Sequence, residues 1–272
     1  MLKSRIITAL IMLVLLLAAL FGLPTSGWAA LVILMTLQAS VEWARLSKLT
    51  GRAATVYWVA TLLIMLSLVW VDASTAVPQL THLFIYTIAA LMWIIVVPTW
   101  LIVGWKVENP MLMALAGWAV IIPTGLAMMD LRQISPWLLL FIMCLVWVAD
   151  SAAYFAGRKF GKNKLAPSIS PGKTWEGVAG AMLGVTAYIV LVWSMSPSLS
   201  QYAMLPILLL AAWWWVGLAV IGDLFESAIK RQAGVKDSGA LLPGHGGLLD
   251  RIDALTSTLP LAALVITMQQ LS

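Results

Sequence analysis

Charge is scarce in this chain. Lys, Arg, Asp and Glu make up 10% of 272 residues, against 62% hydrophobic residues and a mean hydropathy of +0.99. So little polar surface cannot cover an ordinary soluble domain, which excludes that class. Cysteine is nearly absent: Cys144 stands alone in an apolar run, so no intrachain disulfide exists and the thiol reads as a small buried hydrophobe. The two histidines, His82 and His245, are far apart in sequence, and neither has a Cys or His neighbour that would suggest zinc. No Ser, Cys and His set suggests a covalent nucleophile. The apolar runs do not alternate with period two, which argues against a β-barrel. There is no internal repeat and no low-complexity segment.

What remains is hydrophobic length. Apolar runs of roughly 17–25 residues recur, enough to cross a hydrocarbon core as helix. Nine spans are expected, at 6–22, 26–44, 54–71, 82–104, 111–129, 136–156, 176–194, 203–224 and 252–270. The fold class is therefore an all-α, polytopic membrane protein with one transmembrane domain. Helices of 1–135 precede a portion, 136–272, that carries the chemistry. The first run follows Lys3 and Arg5 like a signal peptide, but it leads into a second span without a clear small-x-small cleavage site. With the N-terminus in the cytoplasm, fifteen of the sixteen basic residues fall on the inner face and Arg132 alone on the outer. That asymmetry obeys the positive-inside rule and supports the span count. Trp28, Trp70, Trp137 and Trp193 fall near the expected interfaces, whereas Trp213, Trp214 and Trp215 lie mid-span.

Acids inside or bordering a span are costly, about 2.5–3.5 kcal/mol at the centre on insertion scales. They are functional candidates for that reason. Asp150 sits late in the sixth span. Asp223 and Glu226 close the eighth, and Asp250 and Asp253 open the ninth. Each pair is spaced i,i+3 and shares a helix face. Two such pairs at the cytoplasmic boundary can converge on Mg²⁺, which takes a few carboxylates together with water and phosphate oxygens. Helix capping explains one acid of the last pair, but hardly all five. For Asp150 a structural ion pair is the alternative.

Two cytoplasmic segments mix charge with Gly and Pro. The first contains S-P-G-K-T, residues 170–174. It lacks the first glycine of a P-loop and no strand is expected before it, so an NTPase is rejected. Ser170, Gly172 and Thr174 still offer donors just before a helix N-terminus, where anions are favoured, and Lys173 adds a charge. The second segment, Ser227 to Asp253, holds Lys230, Arg231, Lys236, Asp237 and Arg251, with His245 among glycines. His245 either donates to a phosphate or holds the loop.

Ser227, Lys230, Arg231, Lys236, Asp237, Pro243, His245, Gly246, Gly247, Asp250, Arg251 and Asp253 together resemble the signature of the phosphatidate cytidylyltransferases, or CDP-diacylglycerol synthases. The upstream A-D-S-A-A-Y-F-A-G-R-K-F-G and S-P-G-K-T-W-E-G also resemble the bacterial members, and the likeness spans Val146–Thr256. It implies that CTP and phosphatidic acid give CDP-diacylglycerol and pyrophosphate. It implies Mg²⁺, with K⁺ as a possible second metal, held at Asp223 and Asp250, and Lys173 beside them in catalysis. It implies a homodimer among membrane lipids of the inner (cytoplasmic) membrane, with no nucleic-acid partner. Ser170, Thr174, Lys230, Arg231, Lys236, Asp237, His245 and Arg251 would contact substrate, and Asp150, Glu226 and Asp253 would assist. Rival readings fit less well. An ion-coupled transporter would place acids at mid-bilayer in paired halves. A CDP-alcohol phosphotransferase would show D-G-x-x-A-R, which is absent, and a lipid phosphatase is a further alternative.

Overall fold

The computed structural model describes residues 2–74, 79–197, 201, 203–241, 244 and 246–271, with backbone only for residues 2–7 and 9. Its helices are α1 (Leu2–Gly22), α2 (Thr25–Leu46), α3 (Gly51–Ser74), α4 (Gln79–Leu91), α5 (Val97–Val103), α6 (Pro110–Ile134), α7 (Pro136–Phe160), α8 (Trp175–Met195), α9 (Leu205–Ala233) and α10 (Leu249–Leu271). A π-helical turn, Met92–Val96, joins α4 to α5 into one continuous span just before Pro98, whose missing N–H cannot continue the regular ladder. Counted so, nine helical spans are described, and eight are long and apolar enough to cross a membrane. The chain is a multi-pass membrane protein with the expected all-helical architecture.

Local chemistry sets the helix ends. Asn109 caps α6, its side chain accepting from the N–H of Met111 (2.8 Å), and Pro110 occupies the first turn. Thr174 caps α8 by accepting from the N–H of Gly177 at 3.1 Å. Gly234 ends α9 in the left-handed conformation, φ 76°. The helix therefore runs to Ala233 rather than to 224, and carries Ser227, Lys230 and Arg231 on a rigid face rather than in a loop.

One feature is not helical. Lys164–Ala166 (β1) and Ser170–Thr174 (β2) pair antiparallel, Lys164 opposite Thr174 and Ala166 opposite Ser170. The S-P-G-K-T segment is thus itself a strand. Asn163 secures the hairpin to α8, its N–H and side-chain amide both donating to Glu176.

α6 and α10 are the most enclosed spans, and α10 packs on α9, α6, α4 and α7. Being surrounded by protein, α10 needs less hydropathy than its neighbours. Thr256, Ser257 and Thr258 are buried there with their hydroxyls donating to helix carbonyls. The same enclosure tolerates Pro123 and Pro260 within the two helices. Trp28, expected at an interface, is instead buried and donates to the carbonyl of Met128 at 3.0 Å. Trp70 and Trp137 are largely exposed on the bundle surface.

The two ends of the bundle differ. At the basic end, Gln232 of α9 bonds both backbone groups of Val107, between α5 and α6. This joins two segments that were expected on the same face. At the other end, the Arg132 guanidinium donates to the carbonyls of Leu20 and Leu23, closing the α1–α2 turn over α6.

Candidate active site

α9 presents Asp223, Glu226, Ser227 and Lys230 on one face, the i,i+3,i+4,i+7 stripe of a helix. α10 presents Asp250 and Asp253 in its first turns. The helices cross closely at Gly222. A Cβ there would lie 2.6 Å from Ser257 Oγ and 2.7 Å from the carbonyl oxygen of Asp253, so only glycine lets the two stripes meet.

The acids are held by lysines. Lys230 Nζ lies 2.6 Å from Asp250 Oδ1 and 2.9 Å from Glu226 Oε2, tying the two helices together. Lys173, projected from β2, lies 2.7 Å from Asp223 Oδ2. Arg231 donates to the carbonyl of Ile169 at 3.3 Å, a second tie between α9 and the hairpin. Asp150 of α7 is within electrostatic range of Asp223, Lys173 and Arg251, and Asp253 is within range of Asp223, Glu226 and Asp150. Four elements, α7, β2, α9 and α10, therefore bring five acids together with Lys173, Lys230 and Arg251. Fully ionised, five acids against three cations leave a formal deficit of two positive charges.

Two of the acids have distinct surroundings. Asp250 is buried, and its Oδ2 accepts from the N–H of Ser238 (2.9 Å), the Ser238 hydroxyl (3.0 Å) and the N–H of Gly247 (2.7 Å). Its second oxygen faces the lysine. Glu226 is 4% exposed, and its Oε1 has no hydrogen-bond partner among the described residues. A buried carboxylate oxygen without a donor is costly and suits a cation.

The remaining candidates are placed as follows. Thr174 is buried and its hydroxyl serves α8 as the cap; Ser170, at the start of β2, is half-buried. Lys236, Asp237 and Arg251 are exposed. His245 and Pro243 lie outside the described residues.

Two features escaped the sequence reading. Glu42, at the basic end of α2, is fully buried and bonds the 238–249 segment. It is an acid within an expected span, the same signal that marked Asp150. The second feature lies at the opposite end of the bundle. There His82 sits between Asp72 and Asp130, each carboxylate 2.7 Å from a ring nitrogen, and Tyr86 donates to Asp130 at 2.7 Å. Asp72 and Asp130 fell one residue beyond their expected spans. Their donor atoms and that of His82 lie within 4.8 Å of one another, a group that could hold a metal ion, beside a cavity of about 250 Å³.

A multi-pass bundle that gathers acids and lysines at its basic end has the build of a membrane enzyme. The chain belongs to the Cytidylyltransferase family, whose model matches residues 3–269, and it is by that membership a nucleotidyltransferase. It is 35% identical to the phosphatidate cytidylyltransferase of Haemophilus influenzae, over 96% of each chain. It is 36% identical to that of Pseudomonas aeruginosa, over 98% of this chain and 97% of the other. A shorter match, 45% identical, covers 46% of this chain and 47% of the phosphatidate cytidylyltransferase of Thermotoga maritima.

Proposed function

We propose that this protein transfers the cytidylyl group of CTP to phosphatidate in the inner membrane, releasing pyrophosphate. The carrying observation is the convergence of Asp223, Glu226, Asp250 and Asp253 with Lys173 and Lys230 at one end of the bundle. It occurs in a chain whose full-length relatives bear the matching name.

The reaction asks little covalent chemistry of the protein. A phosphate oxygen of phosphatidate forms a bond to the α-phosphorus of CTP. The bond to the bridging oxygen breaks, and its electron pair leaves with pyrophosphate. A phosphomonoester is already largely ionised near neutral pH, with a second pKa of about 6, so no strong base is needed. What the site must do is align two anions and offset their charge. Lys173, on Asp223, and Lys230, on Glu226 and Asp250, would turn from carboxylate to phosphate. Arg231 follows Lys230 on α9, and Arg251 follows Asp250 on α10. Ser170 and the β2 backbone lie just before the α8 N-terminus, which favours a phosphate there. The acyl chains would remain among the helices while the phosphate reaches the boundary.

The residues present fit Mg²⁺. The donors are all hard oxygens, the five acids if fully ionised outnumber the three cations by two, and Glu226 Oε1 is buried without a partner among the described residues. Asp223, Asp250 and Glu226 would hold the ion, with Asp253 adjoining, and their carboxylates would have to draw together to do so, since among the described residues only Asp72, His82 and Asp130 place three ligand atoms within 4.8 Å of one another; the same oxygens suit K⁺ as a second cation. When bound, such an ion would neutralise charge on the triphosphate. The Asp72–His82–Asp130 group, at the other end, is remote from this cluster and includes a nitrogen donor, which Mg²⁺ favours less than oxygen. A homodimer is part of the proposal, on the resemblance alone.

The test is direct. Purified protein given labelled CTP, phosphatidate and Mg²⁺ is expected to place label in a lipid-soluble product with release of pyrophosphate, and a chelator should abolish this. Label that stays aqueous would reject the assignment; full turnover in excess chelator would reject the metal.

A further inference from the structure

We infer that Glu42 is a positioning residue for Asp250, setting from α2 the loop on which the transfer depends; this rests on the function proposed above. Glu42 is 0% exposed, and its partners among the described residues are all donors. Oε1 accepts from Gln38 Nε2 (2.9 Å) and from the N–H of Leu248 (2.9 Å). Oε2 accepts from the N–H of Leu249 (2.9 Å) and from the Ser238 hydroxyl (2.9 Å). The carboxylate thus receives two of the free N–H groups at the start of α10, the helix that carries Asp250 and Asp253. Through Ser238 it reaches Asp250 itself, since the same hydroxyl lies 3.0 Å from Asp250 Oδ2. A hydroxyl has one proton, so it serves one carboxylate at a time and links the two.

The surrounding backbone is fitted to this acid. A Cβ on Gly247 would lie 2.4 Å from Glu42 Oε2, and one on Gly239 would lie 2.9 Å from Oε1. Gly247 gives its own N–H to Asp250 at 2.7 Å. One loop is therefore pinched between two carboxylates: Glu42 fixes its outer side, and Asp250 takes its inward donors. Fixing Oδ2 of Asp250 in this way leaves Oδ1 as the oxygen turned toward Lys230 and the reacting groups. Among the described residues Glu42 has no hydrogen bond to the other acids of the cluster. Its effect must pass through Ser238 and the α10 N-terminus.

Only an acceptor with two oxygens satisfies these four donors. Glu42→Gln keeps the volume but sets an NH₂ against a donor on one side. Ser238→Ala removes the link to Asp250 and leaves the Leu248 and Leu249 contacts in place. Trp28→Phe removes a buried hydrogen bond at the far end of the bundle and serves as a control for general destabilisation. Each full-length variant is purified in lipid and measured for melting temperature, kcat, KM for CTP and the Mg²⁺ concentration giving half-maximal rate.

Glu42→Gln and Ser238→Ala should lower kcat or raise the Mg²⁺ requirement by about tenfold or more, the usual scale for losing a partner that orients a ligand. KM for CTP should change less, and Trp28→Phe should leave the Mg²⁺ dependence at the wild-type value. The inference is overturned if the folded Glu42→Gln and Ser238→Ala proteins match wild type in kcat and Mg²⁺ dependence. It is equally overturned if they shift only in melting temperature, as the control does. If Glu42→Gln does not fold, Ser238→Ala decides alone. Wild-type protein that makes no cytidylylated lipid condemns the proposed function, and in that case the melting and Mg²⁺-binding curves of Ser238→Ala still report on the link.

Discussion

At the scale of single residues, Asp223 and Asp250 hold equivalent places in the proposed reaction but not in the structure. Asp250 takes three donors from its loop as well as a lysine, and it is buried. Asp223 is a third exposed and takes Lys173 together with a long contact from Ser227 at 3.4 Å. Both Asp→Asn variants should lose nearly all turnover. Only Asp250→Asn should also lower stability, by about 1–3 kcal/mol, because an amide nitrogen or a mis-set carbonyl then meets buried donors. Chemical or thermal unfolding beside the activity assay checks this, and equal melting of the two variants would contradict it.

Among the elements, the α9–α10 crossing decides whether the cluster assembles. Gly222→Ala should separate the helices, since the added methyl would meet the Asp253 carbonyl, a backbone atom that cannot step aside. Activity should fall well beyond the loss in melting temperature; wild-type kinetics in this variant would show that the crossing tolerates a Cβ. The crossing was not legible in the sequence, although its two acidic stripes were, because i,i+3 spacing announces a face while the partner of that face is a tertiary fact. Hydropathy located the nine spans. It stopped α9 near 224 because the apolar run stops there, yet Ala228, Ile229 and an i,i+4 pair between Glu226 and Lys230 carry the helix on. The 164–174 hairpin left no periodic trace, being two very short strands, one with Pro171 and Gly172 inside it. Glu42 was visible as a lone acid in an apolar run, but its four partners come from sequence positions near and far and could not be read from spacing.

Over the whole molecule, polar chemistry is sorted to the two ends of the bundle, and under the proposed reaction the ends do different work. The basic end gathers the groups assigned above to the proposed reaction. At the other, Asp72, His82, Asp130 and Tyr86 join α3, α4 and α6. His82→Gln should therefore lower the melting temperature and leave KM for CTP unchanged. A selective loss of CTP affinity would show that the two ends are coupled. The same variant tests whether that group holds a metal, since a transition-metal ion that raises the wild-type melting temperature should then fail to do so.

Lys173 and Lys230 each already face a carboxylate. Under the proposed reaction, loading this enzyme is an exchange of counter-ions: the lysines pass from side chain to phosphate, and an arriving cation replaces them on the acids they leave. Nucleotide and cation then favour one another's arrival without touching, because each vacates the partner that the other requires. An enzyme arranged in this way keeps both lysines paired until both cargoes are present.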